Sequence, residues 1–441
     1  MTGMTSDTDR PRIVIVGGGA GGLVLATKLG HRLGRRGRAR ITLIDSSLTH
    51  VWKPLLHEIA AGTLASHDDI VNYLSQAKSH HFRFVHGRMD GLDRAARRVG
   101  LAPILDPEGR ELVARRWIPY DTLVIAVGSV SNDFGIPGVR EHCIYLDDHQ
   151  QAERLQQRLL HDFVRAQIQT APLREGQLHI AIVGAGATGV ELAAELHKAS
   201  RQLVDYGLDQ IDPGHDIKLT LLEAAATVLP ALPERLQEAT EAKLRDLGIE
   251  VLTGEQVSEV TEHAIHTKSG RVIPAENKVW CAGIRAPDFL KDLDGLETNR
   301  INQLVVDQHL RTTRDENVFA LGDCASCPWP GAERPVPPRA QAAHQEATTL
   351  AGALVRRLAG QSLPTFRYKD HGSLISLSYS AVGNLMGNLF GSLMIEGLLA
   401  RAAYLSLYRR HQLAINGLGW VILASLARLL ARGTQPRLKL H

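Results

Sequence analysis

Short apolar runs organise this chain, and each stops abruptly at a glycine or an acid. Ile13–Val16 meets Gly17, Ile41–Ile44 meets Asp45, Ile180–Val183 meets Gly184, and Leu219–Leu222 meets Glu223. Runs without polar alternation, bounded by turn residues, belong to strands buried on both faces, as in parallel sheets. Leu123–Val127 before Gly128, Val279–Ala282 before Gly283 and Val318–Leu321 before Gly322-Asp323 read the same way. Between them the period changes to that of helices. Residues 146–170 predict a polar helix led by Asp147 and Asp148, and Leu236–Leu247 keeps helical spacing until Gly248. A further helix is expected over Ala340-Gln341-Ala342-Ala343-His344-Gln345, after the stiff Pro335–Pro338 loop. Strands alternating with helices predict an α/β architecture.

Two of the strand-to-helix junctions share a glycine pattern. Gly17-Gly18-Gly19-Ala20-Gly21-Gly22 follows one strand, and Gly184-Ala185-Gly186-Ala187-Thr188-Gly189 follows another. In such a turn the first glycine allows the bend, the second lets backbone approach a pyrophosphate, and the third packs helix on strand. The new helix then points its free N–H groups at the phosphates. An acid ending the next strand would hold a ribose diol. Asp45 stands 23 residues past Gly22, near the expected spacing. Glu223 stands 34 residues past Gly189, with the excess around Tyr206–Asp216, where Gly207, Pro213 and Gly214 break any helix. Ala224-Ala225-Ala226 follows Glu223, with no Arg to receive a 2′-phosphate, so NADH is expected over NADPH. Two such units in one chain predict two dinucleotides, the logic of an electron-transferring enzyme.

Composition narrows the field. The 441 residues suffice for two or three domains, and a net charge of +3 implies no nucleic acid partner. The basic excess is local: beyond Gly391, Arg401, Arg409, Arg410, Arg428, Arg432, Arg437 and Lys439 face a single acid, Glu396. Cys143, Cys281, Cys324 and Cys327 are too few and scattered for a disulfide framework, and Cys324-x-x-Cys327 lacks the second pair of a zinc site. No metal site is expected. Met1–Arg10 lacks the apolar stretch of a secretory signal, so none is expected.

The order of first fingerprint, Tyr120–Gly128, second fingerprint and Leu321-Gly322-Asp323 resembles the two-dinucleotide flavoprotein reductases. Three stretches look specifically like type II NADH dehydrogenases, the single-chain NADH:quinone oxidoreductases. These are His50-x-Trp52-x-Pro54-Leu55-Leu56, Gly186–Leu196 and Ala340-Gln341-Ala342-Ala343-His344-Gln345, the last similar to that family's quinone-site motif. Phe366–Leu374 also resembles the segment before the family's membrane anchor, with His371 where Lys or Arg is frequent.

The resemblance implies two Rossmann-like domains, a discontinuous FAD domain (1–145 and 285–370) with an NADH domain (146–284) inserted, and a C-terminal helical membrane-anchoring region (371–441). It implies that Gly17, Gly19, Ala20, Gly22, Asp45, Lys53, Ala126, Gly128, Gly322, Asp323, Ala340 and Gln341 hold FAD. Gly184, Gly186, Thr188, Gly189, Glu191, Glu223, Ala282 and Gly283 would hold NADH. Relatives that reduce disulfides carry cysteines after the first ribose acid, yet Ser46–Gly62 contains none. Electrons would therefore leave to a quinone, without proton pumping. Glu191, read as lying in the first turn of its helix, is expected to orient nicotinamide or relay protons. Gln341 and Gln345, four apart on one helix face, are expected to hydrogen-bond a quinone carbonyl.

Quinones are lipids, so the basic C-terminal region is expected to meet the cytoplasmic face of the plasma or inner membrane. Leu413–Ala427 is uncharged, and as one helix it would rise about 22 Å, too short to span. It is expected to lie in the interface, flanked by Arg409, Arg410, Arg428 and Arg432. A homodimer is left open. The competing reading is a soluble NAD(P)H-dependent FAD reductase serving a ferredoxin-like protein, docked by the basic tail.

Overall fold

Ile13 to Val16 are buried on both sides of their strand, and the same holds for the central residues of Arg40–Asp45 and Thr122–Ile125. Side chains removed from water in this way contribute about 1.5–3 kcal/mol each. The computed structural model describes residues 10–64, 70–377, 380–387, 391–431 and 438. Two compact units emerge: residues 1–52, 70–130 and 284–369, and residues 53–69, 131–283 and 370–441.

The first unit is built on a five-stranded parallel sheet. Its order runs Val318–Ala320, Thr122–Ile125, Arg12–Val16, Arg40–Asp45, Arg83–His86. The helix Gly22–Leu29 crosses from the first strand to the second, and the helix Ala340–Leu358 packs against it. The charged stretch after residue 86 folds into a small antiparallel sheet, Met89–Asp93, Arg98–Leu101 and Arg116–Pro119.

The second unit repeats the plan with Ile144–Tyr145, Asn277–Trp280, His179–Val183, Lys218–Glu223 and Glu250–Thr253 in a parallel sheet. The polar helix spans His149–Ile168, capped by the Asp148 carboxylate accepting from the Gln151 amide. The helix Ala187–Asp205 makes the crossover, and the long connection to Lys218 follows it.

The C-terminal region departs from an all-helical expectation. It opens with an antiparallel meander, Gly372–Leu377, Ser380–Gly387 and Gly391–Glu396, whose first strand packs on the Ala187–Asp205 helix. Helices Gly397–Asn416 and Leu418–Ala431 then follow. The uncharged stretch 413–427 is therefore not one helix: Gly417, at φ +83°, breaks it. No described helix is long and apolar enough to cross a membrane.

Candidate functional site

The first glycine turn shows why each glycine is needed. Gly17 sits at φ +100°, and a Cβ there would stand 2.3 Å from the Ala126 carbonyl oxygen. A Cβ on Gly22 would stand 1.8 Å from the Gly17 oxygen, so strand and helix meet without side chains between them. Gly19 is the opposite case, exposed and with nothing within 4 Å of its Cβ position. That opening is a cradle at a helix N-terminus, the geometry a pyrophosphate fits. The Asp45 carboxylate closes the turn, accepting from the amides of Gly18 (2.6 Å) and Ser47 (2.8 Å). The Gly18 carbonyl is held from the other side, accepting from His50 Nδ1 (2.9 Å) and the Tyr73 hydroxyl (2.8 Å). A carbonyl only accepts, so the His50 proton lies on Nδ1. Burial lowers the His50 pKa to about 4 and keeps it neutral, and burial, with the Asp45 charge, raises the Tyr73 phenol.

Further parts of this unit complete the cradle. Gly128 (φ +72°) leaves open space, and Gly322 (φ +74°) donates its amide to the buried Glu346 carboxylate at 2.6 Å. Burial pushes Glu346 up to about 7, opposed by the Gly322 amide and reinforced by the charge of Asp323. Asp323 accepts from the Ser129 hydroxyl at 2.8 Å, and its carbonyl accepts from the Gln303 amide at 2.8 Å. Ala340 and Gln341 begin their helix after Arg339, where no side chain caps the end. Gln345 is engaged within its unit: its amide donates to the Lys369 carbonyl (2.8 Å) and accepts from the Lys369 amide (3.0 Å), which leaves its second N–H.

The second turn repeats the first almost atom for atom. A Cβ on Gly184 (φ +102°) would meet Ala282 Cα at 2.7 Å, and one on Gly189 would meet the Gly184 oxygen at 1.9 Å. Gly186 is open and exposed, as are Ala187 and Thr188 beside it. Glu223 accepts from the amides of Ala185 (2.7 Å) and Ala225 (2.9 Å). The Ala185 carbonyl accepts from the Leu229 amide at 2.8 Å. Gly283 (φ +65°) lies against the Phe134 ring, 2.4 Å from where its Cβ would be.

Glu191 needs a correction. The helix starts at Ala187, so Glu191 lies beyond the first turn and away from the unbonded amides of that end. It is buried instead, with Oε1 accepting from the Ser376 amide (2.9 Å) and Oε2 standing 3.7 Å from His57 Nδ1. Glu195, four residues on and also buried, pairs with Lys198 at 3.0 Å. Burial alone would raise Glu195; Lys198, the Thr63 hydroxyl and His57 hold it low. Burial lowers His57 to about 4 against the pull of Glu195. Sequence reasoning passed over His57 and Glu195, although two acids four apart in the apolar run Val190–Leu196 are a visible signal.

The remaining candidates sort simply. Lys53 is exposed in a short turn of the second unit. Cys324 and Cys327 are buried free thiols bonded to backbone carbonyls, each pushed up to about 12 by burial, and so poor redox or metal groups. Among the described residues no metal-binding cluster of His, Cys, Asp or Glu forms.

Known proteins place this arrangement. Residues 11–347 match the pyridine nucleotide-disulphide oxidoreductase family. A type II NADH:quinone oxidoreductase of Haemophilus influenzae is 45% identical, over 97% of this chain and 99% of that protein. One from Staphylococcus aureus is 31% identical, over 86% and 90%. In fold, the chain is similar to NDH2 from Plasmodium falciparum in complex with NADH, at TM-score 0.82 and 20% identity, covering 98% of this chain and all of that one (100%).

Proposed function

Since this chain belongs to the type II NADH:quinone oxidoreductases, within the pyridine nucleotide-disulphide oxidoreductases, we propose that it oxidises NADH through bound FAD and reduces a membrane quinone, without pumping protons. The observation that carries this reading is the duplicated glycine turn, open at Gly19 and Gly186 and closed by an acid in both units. FAD, when bound, supplies the two-electron chemistry that links nicotinamide to quinone.

Gly17, Gly19, Ala20 and Gly22 would take the FAD pyrophosphate, with Asp45 on the ribose. Ala126, Gly128, Gly322, Asp323, Ala340 and Gln341 would frame the rest. Gly184, Gly186, Thr188 and Gly189 would take the NADH pyrophosphate, with Glu223 on its ribose and Ala282 and Gly283 bordering the nicotinamide end. The Glu223 carboxylate repels a 2′-phosphate, which favours NADH. Gln341 keeps its expected part at the quinone carbonyl, and Gln345, which also holds the Lys369 segment, would offer its second N–H there. Glu191, well buried, is suited to handle the proton that quinone reduction consumes.

Membrane contact rests on the helix Leu418–Ala431. Leu418 (64%), Leu423 (69%) and Leu430 (82%) are largely exposed, with Trp420, Ile422 and Leu426 beside them. Exposed apolar side chains this dense mark a docking face. A 14-residue helix rises about 21 Å, so it lies along a bilayer surface rather than through it. Arg410 is exposed on the preceding helix, and Arg409 bonds to Gln412. Of the other basic residues beyond Gly391, Arg401, Arg428, Arg432, Arg437 and Lys439 lie outside the described side chains. The reading assigns the protein peripherally to the cytoplasmic face.

Anaerobic stopped-flow absorbance tests the proposal. NADH is expected to bleach the bound flavin, and a water-soluble quinone to restore its colour. A purified protein that takes up no FAD, or a reduced flavin that quinone leaves bleached, would overturn it. Flotation with anionic liposomes, comparing the full chain with one ending at Gly417, tests the docking face; equal flotation of the two would remove it.

A further inference from the structure

The second unit contains a buried polar cluster that electron transfer alone does not explain. His57 is 2% exposed, yet its Nε2 has no hydrogen-bond partner. Leaving a buried ring nitrogen unpaired costs about 1–3 kcal/mol. Its Nδ1 bonds the Pro54 carbonyl and faces Glu191 Oε2 at 3.7 Å. Glu195, one helical turn beyond Glu191, acts on the same ring through its charge and continues to Lys198 at 3.0 Å, where the cluster nears the surface. The opposite oxygen of Glu191 is fixed by the Ser376 amide, which orients the carboxylate toward the ring.

The helix Ala187–Asp205 contributes Glu191, Glu195 and Lys198; strand Gly372–Leu377 contributes the Ser376 amide. The ring's own segment contributes Glu58, whose carbonyl accepts from the Thr63 hydroxyl, and the Thr63 hydroxyl also bonds Glu195. Helix His149–Ile168 lines the adjoining space with Gln156, Leu159, Leu160 and Phe163, which carry no charge.

From this geometry we propose that Glu195 and His57 form a proton inlet that reloads Glu191 from solvent during quinone reduction. The inference rests on the reading above and extends it. The balance requires such a path: NADH + H⁺ + quinone gives NAD⁺ + quinol, so each turnover draws one proton from water. In the inlet, Nε2 of the neutral ring takes up a proton that enters from solvent, drawn by the Glu195 charge, and Nδ1 releases its own to Glu191 Oε2. One proton moves inward and no charge stays on the buried imidazole. His57 is a positioning and relay residue; it is not assigned any contact with quinone.

The test compares two acceptors in the full-length, flavin-loaded enzyme: a water-soluble quinone, which takes protons, and ferricyanide, which takes electrons only. For His57→Ala the quinone rate is expected to fall roughly 100-fold relative to the ferricyanide rate. Free imidazole should restore part of the loss, and its rescue should grow with imidazole concentration. Glu195→Gln removes the charge that favours ring protonation, so the alkaline fall in quinone rate should move to lower pH. A proportional loss with both acceptors, no rescue, and an unmoved Glu195→Gln profile would overturn the inlet. If the wild-type enzyme reduced ferricyanide but no quinone, the functional reading itself would fail instead.

Discussion

The two glycine turns close on their acids in the same way and differ in what grips the carbonyl behind them. In the second unit the Ala185 carbonyl is held by a backbone amide, Leu229. In the first, the equivalent Gly18 carbonyl is held by two side chains, His50 and Tyr73. A backbone grip survives almost any substitution, whereas a side-chain grip can be tuned or lost by one. The first turn carries the added, buried clamp, which suits a cofactor that stays bound; the second keeps Ala187 and Thr188 exposed at its mouth, which suits one that exchanges.

The largest effect should come from Gly17→Ala set against Gly184→Ala. Each forces a side chain into the left-handed region, costing about 1–3 kcal/mol, and into a backbone clash besides. The Gly17 variant is expected to purify without flavin, the Gly184 variant yellow but unreduced by NADH; identical colour and reduction would erase the contrast. Next, His50→Gln with Tyr73→Phe leaves the Gly18 carbonyl poorly paired, at about 1–3 kcal/mol. Titrating apoprotein with FAD should show about 10- to 100-fold weaker binding for the double variant, with each single variant weaker by less than half that energy. An unaltered FAD affinity would show that the clamp does not serve the cofactor.

Glu223→Ala should raise the NADPH-to-NADH ratio of kcat/KM by about tenfold, the effect of one lost charge contact near 1.4 kcal/mol. No change in that ratio would place the ribose elsewhere. The smallest effect belongs to Glu346→Gln, and it is one of pH. The folded carboxyl is raised from 4.5 to about 7, so its protonated form stabilises the fold below 4.5, and that stability drains away as pH rises through 7. The Gln variant cannot ionise and still accepts from the Gly322 amide. Its melting temperature should therefore fall less than the wild type's between pH 5 and 8, and parallel curves would contradict the burial argument.

Much of this was legible because it is local. A strand, its terminal glycine and the acid of the next strand are bound to one another by a few residues of geometry, so Gly17, Asp45, Gly184 and Glu223 could be picked out directly. What hid from the sequence was long-range. Residues 53–69 join the second unit, which brings His57 to Glu191 across more than a hundred residues of chain, and nothing near His57 announces it. The antiparallel meander over 372–396 has glycine-rich, weakly alternating strands, and Gly417 interrupts a run whose hydropathy is continuous. Gln345 has helical spacing from Gln341, but its partner is 24 residues away.

That last bond has a kinetic meaning. By holding both the N–H and the C=O of Lys369, Gln345 secures the final residue of the first unit just before the chain passes to the second at Asp370. Lys369 lies outside any helix or strand, where backbone hydrogens ordinarily swap with heavy water within seconds. Here a slow-exchanging amide should stand out beside neighbours that swap quickly, a built-in reporter of whether that end of the unit is latched or has come loose.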